Sequence, residues 1–562
     1  MEKRNIFLFG ILAIHVIFVI FSMNQPFHGD EVVFVESAKG ILKTGKPVFD
    51  YSAFKPNFIG LWHSPLYAYI LSVFIFIFGE SIYSVRAVSA LFNIFTIVLV
   101  YLITRKVLEK NKNNENWALL TTFIYALNPL TVQSSVIIDI DGGILNFAVY
   151  LFLYLFIKNK NFYYLIPSLL FVFLAKENVY FILFLVFFVY CILTFEWKKI
   201  PKIIFLFLIA GVLFVTFFWI YCSFLGLDFS MPFKHNFSGF GDIKIIRSDL
   251  TSWAISAWSF KTFFYFAVPF FVILFFIFTF SFYYSLTKNK YLDSEQKPIL
   301  LLNVLSIISI LVFFYLGVSC WGFPKYYIIA LPGMSIFLVY MLSQEKILRS
   351  MSDFPIKNKN FLFCVVLIAL FDILLVYFQL FVQNPLIPEF DSAAVNTNIF
   401  YAIKLISYTF VLYTVVPFFI CFFILCLFKF KRKVLVSLIF LTFFMFLYLN
   451  LTHAFANYST YSKYGDKGIL EVVNYFNSRK IPPNEITTHM HLGKYLGISD
   501  YYEITFAYNN EKDFKEKIID NKNIKYLVIW ERDIGRIGKK NMGYFYLKRK
   551  IGSYYIFKKR SS

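Results

Sequence analysis

Long apolar segments follow one another from residue 5 to residue 451, with short polar loops between them. The hydrocarbon core of a bilayer is about 30 Å thick, and a helix of about 20 apolar residues crosses it. The pattern therefore predicts an α-helical polytopic membrane protein. We place thirteen spans, near residues 5–22, 84–104, 117–131, 141–157, 162–174, 178–195, 203–225, 262–286, 298–318, 324–343, 361–383, 400–428 and 433–451.

One further apolar segment, residues 66–79, is assigned to the membrane interface as a juxtamembrane or re-entrant segment. With this assignment every second loop carries Lys and Arg, from Lys3 and Arg4 at the start to the cluster that ends at Lys433. Basic loops face the cytoplasm under the positive-inside rule. We therefore predict a cytoplasmic N-terminus and, on the outer side, a first loop over residues 23–85 that contains juxtamembrane helices.

The chain becomes polar and charged after Leu451, which predicts two domains: a transmembrane domain over 1–451 and a small α/β domain over 452–562. Because the number of predicted spans is odd, the second domain is expected on the outer, extracytoplasmic side. Its pattern predicts helices and strands at 467–479, near 511–520, and at 526–530, 544–548 and 554–558.

Composition supports this class. The chain is 59% hydrophobic, and its mean hydropathy is +0.66, which is more apolar surface than a soluble protein of this length can bury. The net charge of +21 does not indicate nucleic acid, because the basic residues lie in short loops between apolar spans. The six cysteines show neither a disulfide framework nor metal-ligand spacing. The apolar N-terminus has no small-residue cleavage site, so we expect an uncleaved first span.

The few polar residues expected at the outer surface are the candidates for chemistry: Asp30, Glu31, His63, Arg86, Asp139, Asp141, Lys176, Glu177, Lys325, Tyr326 and Tyr327, which Lys404 can join near the outer end of its span. Carboxylates beside a membrane are costly to keep there and indicate a functional site. A carboxylate can act as general base on an acceptor hydroxyl, and Lys, Arg or His can hold a phosphate. The set fits a substrate with an apolar tail and an interfacial phosphate, such as a polyprenyl-phosphate sugar.

Each candidate also has a purely structural interpretation. Arg86 could extend its side chain from a span end towards water, and His63 could be a hydrogen-bonded loop residue. Lys176 and Glu177 are adjacent in sequence and could neutralise one another.

Seven motifs resemble one family, in the same order along the chain: Asp30-Glu31, His63-Ser64-Pro65-Leu66-Tyr67, Phe78-Gly79-Glu80-Ser81, Arg86 with Ser89-Ala90, Asp141-Gly142, Ala175-Lys176-Glu177, and Lys325-Tyr326-Tyr327 followed by Leu331-Pro332-Gly333. The family is the GT-C glycosyltransferases of the dolichyl-phosphate-mannose–protein mannosyltransferase and aminoarabinose (lipid A) transferase type. The resemblance is strong over residues 1–180, weaker to about 345 and only architectural beyond. The family layout also supports the interfacial assignment of 66–79.

The resemblance implies roles for the acidic residues and for His63. Asp30 matches the family's catalytic acid of the first outer loop, a general base, with Glu31 as its partner. Asp141 matches the second-loop acid, which orients the acceptor or the base. His63 occupies a position that contacts the lipid phosphate, although it precedes Ser64 where the family more often has Pro.

The basic residues are assigned in the same way. Arg86 and Lys176 match positions that stabilise phosphate, and Glu177 belongs to the same substrate-binding motif as Lys176. Lys325 stands before Tyr326 where relatives often carry Arg. The chain lacks the luminal repeat domain of eukaryotic protein mannosyltransferases, which argues against that branch.

The implied reaction is a single displacement at the sugar C1 with inversion, in which phosphate leaves and the protein mainly positions and neutralises charge. No cofactor is expected, although Asp30, Glu31, His63 and Asp141 could ligate a divalent ion. Expected partners are the lipid-linked donor, a glycan, lipid or protein acceptor, and the bilayer. Three alternatives stay open: a lipid-pyrophosphate-dependent oligosaccharyltransferase or O-antigen ligase, a flippase for lipid-linked sugars, and a non-catalytic subunit of a wall-assembly complex.

Overall fold

The computed structural model describes residues 3–23, 30–47, 63–230, 263, 266–288, 296–316, 324–344, 446–447, 450, 468–488, 490–498, 514–530, 539–552 and 554–560. These residues are predominantly helical, and their only sheet lies close to the C-terminus. The predicted spans at 361–383 and 400–428, and most of that at 433–451, lie outside the described residues.

The other predicted spans coincide with helices. They are α1 (Lys3–Ser22), α4 (Ile82–Val107), α5 (Asn114–Leu127) with α6 (Pro129–Ser134), α7 (Ile144–Ile157), α8 (Phe162–Ala175), α9 (Glu177–Leu193), α10 (Ile200–Leu225), α11 (Pro269–Lys288), α12 (Gln296–Leu316), and a 3-10 turn (Lys325–Ala330) that continues into α13 (Leu331–Ser343). Within the described part of the chain, five helices are long and apolar enough to cross a membrane. The protein is a multi-pass membrane protein.

One predicted span is divided in two. The segment near 117–131 breaks at Asn128, where the next residue, Pro129, has no backbone N–H to continue the helix. The Asn128 carboxamide oxygen accepts a hydrogen bond from Leu130 N at 3.0 Å. This side chain caps α6 while the chain changes direction.

The first loop contains two helices that pack against each other, α2 (Asp30–Thr44) and α3 (Leu66–Phe78). The sequence predicts juxtamembrane helices in this loop, but it gives bounds only for the segment 66–79 and none for α2. Helix α3 has 13 residues, so it is about 20 Å long, which is too short to cross a core of about 30 Å. That length agrees with the interfacial assignment of 66–79, which stays a prediction.

The C-terminal unit combines short helices with a four-stranded sheet in the order β1-β2-β4-β3. Its elements are α14 (Ile469–Ser478), β1 (Ile486–Thr488), α15 (Met490–Leu496), a π-helical turn (Lys515–Ile519), β2 (Tyr526–Trp530), α16 (Lys539–Met542), β3 (Phe545–Ile551) and β4 (Tyr554–Lys559). Strand β1 is parallel to β2, and the other pairs are antiparallel. The helix at 467–479, the strand at 526–530 and the hairpin are thus confirmed. Strand β1, with three residues, is too short to show a pattern in the sequence.

Candidate active site

The second-loop segment, residues 135–143, connects α6 to α7 and is buried throughout. It carries Asp139 and Asp141. Buried non-helical backbone needs hydrogen-bond partners, and helix α4 supplies three. Arg86 donates to Val136 O and Ser89 to Ile137 O, and Asn93 donates to Gly142 O at 2.7 Å.

Two glycines let this segment lie directly on α4. A Cβ atom at Gly143 would stand 2.5 Å from Ser89 O of α4. One at Gly142 would stand 2.8 Å from Ile137 O within the segment itself, and 3.0 Å from Ser89 Oγ of α4. Neither of the two shorter distances is possible for a real side chain without a shift of the backbone. Helix α1 holds the other end of the segment, because His15 Nε2 lies 3.2 Å from Ser135 Oγ.

A buried ion pair joins the first loop to this segment. Arg86 donates to Glu31 through both terminal nitrogens, at 3.0 Å to Oε1 and 3.1 Å to Oε2. Glu31 Oε1 also accepts from Ile138 N at 3.1 Å. The two side chains are 1% and 0% exposed, so Arg86 does not reach water at a span end. The pair fixes the first turn of α2, which begins at Asp30, against the second-loop segment.

A second buried pair joins Asp141 to Lys176, which stands between α8 and α9. The Lys176 ammonium donates to both carboxylate oxygens, at 2.7 and 2.6 Å. Burial lowers the pKa of Lys176, but the charges of Asp141, Tyr326 and Asp139 together outweigh burial and raise this pKa above its usual value. Lys176 is therefore charged at physiological pH.

A third pair lies next to the second. Lys325 Nζ donates to Asp139 Oδ2 at 2.6 Å, while Asp139 Oδ1 accepts from Asp141 N at 3.1 Å. The half-buried Tyr326 ring lies near both ammonium groups, with its centroid 4.3 Å from Lys176 Nζ and 5.4 Å from Lys325 Nζ. Lys325 is 12% exposed, which leaves part of its side chain accessible.

His63 and Glu177 form a fourth contact, with His63 Nδ1 2.8 Å from Glu177 Oε1. Glu177 is the first residue of α9 and is nearly buried, whereas His63 is 27% exposed. Lys176 and Glu177 do not neutralise each other, because each contacts a different loop.

The structure therefore brings nine of the predicted residues into neighbouring contacts around one segment. They are Glu31 with Arg86, Asp141 with Lys176, Asp139 with Lys325 and Tyr326, and His63 with Glu177. Asp30 begins α2 directly before Glu31. Among the residues that the structure describes, no three His, Cys, Asp or Glu side chains lie close enough together to hold a metal ion.

Comparison with known proteins gives a family match and a fold match. Residues 62–221 match the model of the dolichyl-phosphate-mannose-protein mannosyltransferase family. The structure of ArnT from Cupriavidus metallidurans bound to undecaprenyl phosphate superposes with a TM-score of 0.58 at 13% identity, over 98% of both chains. The chain has the GT-C fold. The resemblance read from the sequence motifs is thereby confirmed.

Two further solved structures match this chain. The apo state of the same ArnT gives a TM-score of 0.55 at 13% identity, over 98% of this chain and 97% of that one. An oligosaccharyltransferase from Archaeoglobus fulgidus is more distant, with a TM-score of 0.45 at 12% identity, over 94% of this chain and 69% of that one. A search of curated proteins gives no match.

Within this GT-C fold, sequence reasoning identified Arg86 and Ser89 but missed two other residues that hold the second-loop segment in place. His15 lies in the first predicted span and Asn93 in the second. A polar residue inside an apolar span usually makes a specific polar contact and has a functional role. Both positions could therefore have been identified from the sequence as candidates for such contacts. Asp139 was noted as polar, but its partner Lys325 could not be deduced from the sequence.

Proposed function

We propose that this chain is an integral-membrane glycosyltransferase that transfers one sugar from a polyprenyl-phosphate donor to an extracytoplasmic acceptor. One observation carries the proposal. The buried contact of Glu31 with Arg86 and Ile138 sets the start of α2, and hence Asp30, against the segment that carries Asp139 and Asp141. Two acidic loops beside a group of basic side chains provide what a transfer of this kind needs. The family match and the ArnT structure bound to undecaprenyl phosphate support the donor class.

In the proposed reaction, Asp30 accepts the proton of an acceptor hydroxyl or amine. The acceptor atom forms a bond to the sugar C1 from one side as the bond from C1 to the phosphate oxygen breaks on the other, so the anomeric configuration inverts. The electron pair leaves with the lipid phosphate. A general base of this kind contributes about 10²–10⁴-fold to the rate.

The accessible basic side chains are the proposed contacts of the departing phosphate. His63 and Lys325 are partly exposed, and Tyr326 is half-buried beside Lys325. Their charges and hydrogen-bond donors would neutralise the phosphate as its negative charge grows. Glu177 would orient the His63 ring through Nδ1 and leave Nε2 for the substrate.

Arg86 and Lys176, also predicted as phosphate ligands, already contact Glu31 and Asp141 and are buried. We propose that they act through these carboxylates, by fixing where the two acidic loops stand. Their positive charge still contributes to the field that a phosphate would meet. No divalent metal is proposed to take part.

The test is transfer from radiolabelled polyprenyl-phosphate sugars to membrane acceptors by the full chain in proteoliposomes. The variant is Asp30→Asn, and the matched control is Glu109→Gln, an exposed carboxylate far from the site that pairs with Lys106. We expect the wild type and Glu109→Gln to transfer label equally, with or without EDTA, and Asp30→Asn to lose at least about 100-fold.

Three results would overturn parts of the proposal. Equal transfer by Asp30→Asn and the wild type would show that Asp30 is not the general base. Loss of transfer in EDTA would show that a metal is required. Movement of labelled lipid between leaflets without any transfer would favour a flippase.

A further inference from the structure

Helix α2 is packed from two directions. One stripe consists of Val32, Val35 and Ala38, spaced three residues apart, and all three are fully buried. These residues share a hydrophobic cluster with α3, α4 and the second-loop segment, through members such as Val88 and Ile138. This stripe holds α2 against the transmembrane helices.

Val33, which directly follows Val32 of that stripe, packs against a different part of the protein. Val33 is only 6% exposed, and it belongs to a second cluster whose other members all come from the C-terminal unit. Those members lie on α14, on α15 or just after it, and on three strands: Ile469, Val472, Tyr475, Phe476, Ile486, Leu492, Leu496, Ile498, Val528, Tyr554 and Ile556. The C-terminal unit therefore covers the side of α2 that the transmembrane helices leave open.

Tyr495 of α15 connects the two clusters. Its half-buried side chain packs against the C-terminal cluster that contains Val33, and also against the cluster that contains Val32 and Val35. One side chain of the C-terminal unit thus contacts the apolar packing on both sides of α2.

This contact matters because α2 begins with Asp30 and Glu31. A helix of 15 residues has little stability of its own in water, so neighbours decide where it lies. The Glu31–Arg86 pair fixes the first turn of α2, and the stripe of Val32, Val35 and Ala38 holds one side of the helix. The contact of Val33 with the C-terminal unit restrains α2 from a second direction, two residues after Glu31. A displacement of about 1 Å at a catalytic group can cost about 100-fold in rate.

We propose that the C-terminal unit is a positioning element of the active site, in which Tyr495 and the cluster around Val33 hold α2 so that Asp30 meets the acceptor. This inference rests on the proposed function. The unit acts through α2 and contacts neither the lipid phosphate nor the sugar.

The experiment compares three variants of the full chain in proteoliposomes, Val33→Ala, Tyr495→Ala and Tyr495→Phe. The matched control is Phe557→Leu, which trims a buried side chain on the cluster of the C-terminal unit that includes no residue of α2. We expect kcat to fall at least about 10-fold in both alanine variants, with KM for the lipid donor within about twofold. Tyr495→Phe, which keeps the ring, and Phe557→Leu should retain the wild-type kcat.

A second measurement does not depend on turnover. Hydrogen exchange of the amides of α2 should become faster in Val33→Ala and Tyr495→Ala, while the amides of α4 stay as protected as in the wild type. Phe557→Leu should leave α2 unchanged. If no donor supports transfer by the wild type, the proposed function fails. The exchange data would still show whether the C-terminal unit holds α2 in place.

Several results would overturn the inference. Unchanged exchange and unchanged kcat in both alanine variants would show that the C-terminal unit does not position α2. A loss of kcat in Phe557→Leu equal to that in the alanine variants would indicate general destabilisation of the C-terminal unit. A raised KM for the acceptor with normal kcat would assign the unit to acceptor binding.

Discussion

The buried pair of Glu31 and Arg86 gives the sharpest test of the site geometry. We consider three variants: Glu31→Gln, Arg86→Met and the double variant. Each single change leaves one charge buried without its ion partner, whereas the double change removes both charges. The two positions are 55 residues apart in sequence, so any coupling between them arises in the folded protein.

The magnitude follows from the contacts. Removal of one partner from a buried ion pair costs about 3–5 kcal/mol of unfolding free energy. Glu31→Gln should lie near the lower limit, because the amide oxygen can still accept from Ile138 N and from one Arg86 nitrogen. Arg86→Met should lie near the upper limit, because the Glu31 carboxylate loses the hydrogen bonds from both Arg86 nitrogens. In the double variant the main remaining cost comes from the buried carbonyl of Val136, which loses its hydrogen bond from Arg86. This loss costs about 1–3 kcal/mol of unfolding free energy.

The double variant should therefore be more stable than Arg86→Met by about 2 kcal/mol or more. The assay is unfolding of the purified protein in mixed micelles with increasing denaturing detergent, from which relative free energies are obtained. The exposed pair of Lys106 and Glu109 is the matched control. Lys106→Met and Glu109→Gln should couple by no more than about 0.5 kcal/mol.

The opposite pattern would refute the reasoning. If Glu31→Gln and Arg86→Met each cost under about 1 kcal/mol and add in the double variant, the pair is not a buried, two-point contact. The link between the first loop and the second-loop segment would then have to come from the hydrophobic cluster alone.

Two further predictions concern the second-loop segment. Gly143→Ala should prevent folding or cost several kcal/mol of unfolding free energy, since the new Cβ would stand 2.5 Å from Ser89 O. Gly10→Ala should be tolerated, because no atom lies within 4 Å of the new Cβ. Yield and thermal stability in detergent measure both effects. Between pH 7 and pH 10.5, the usual pKa of a lysine, the stability difference between the wild type and Lys176→Met should be constant. It should shrink only as the pH rises further, through the higher pKa of folded Lys176. A difference that already shrinks between pH 7 and 9 would contradict the charged contact with Asp141.

Much of the fold follows from local pattern. The spans near 5–22, 84–104 and 203–225 are confirmed as helices because a long apolar segment in a membrane protein has few other structures available. The C-terminal hairpin is confirmed because alternation and a turn at Gly552 act over neighbouring residues. The bounds of helix α2 could not be predicted, because its residues are only moderately apolar and are buried by partners distant in sequence.

The sequence also identified the charged residues of the candidate site, since carboxylates and ammonium groups beside apolar spans are rare and costly. It could not decide their partners. Lys176 and Glu177 are neighbours in sequence, but Lys176 has an extended backbone between two helices, with φ −160° and ψ 112°. Consecutive side chains there point apart, so Lys176 meets Asp141 and Glu177 meets His63.

The same holds for Asp139 and Lys325, which are 186 residues apart. Residue type and hydropathy are local properties, and they determined that this is a membrane protein with acids and bases at its loops. Which charge neutralises which depends on how helices pack across the whole chain. Only the tertiary structure could show that Arg86 is buried against Glu31, while the side chains of His63 and Lys325 are partly exposed.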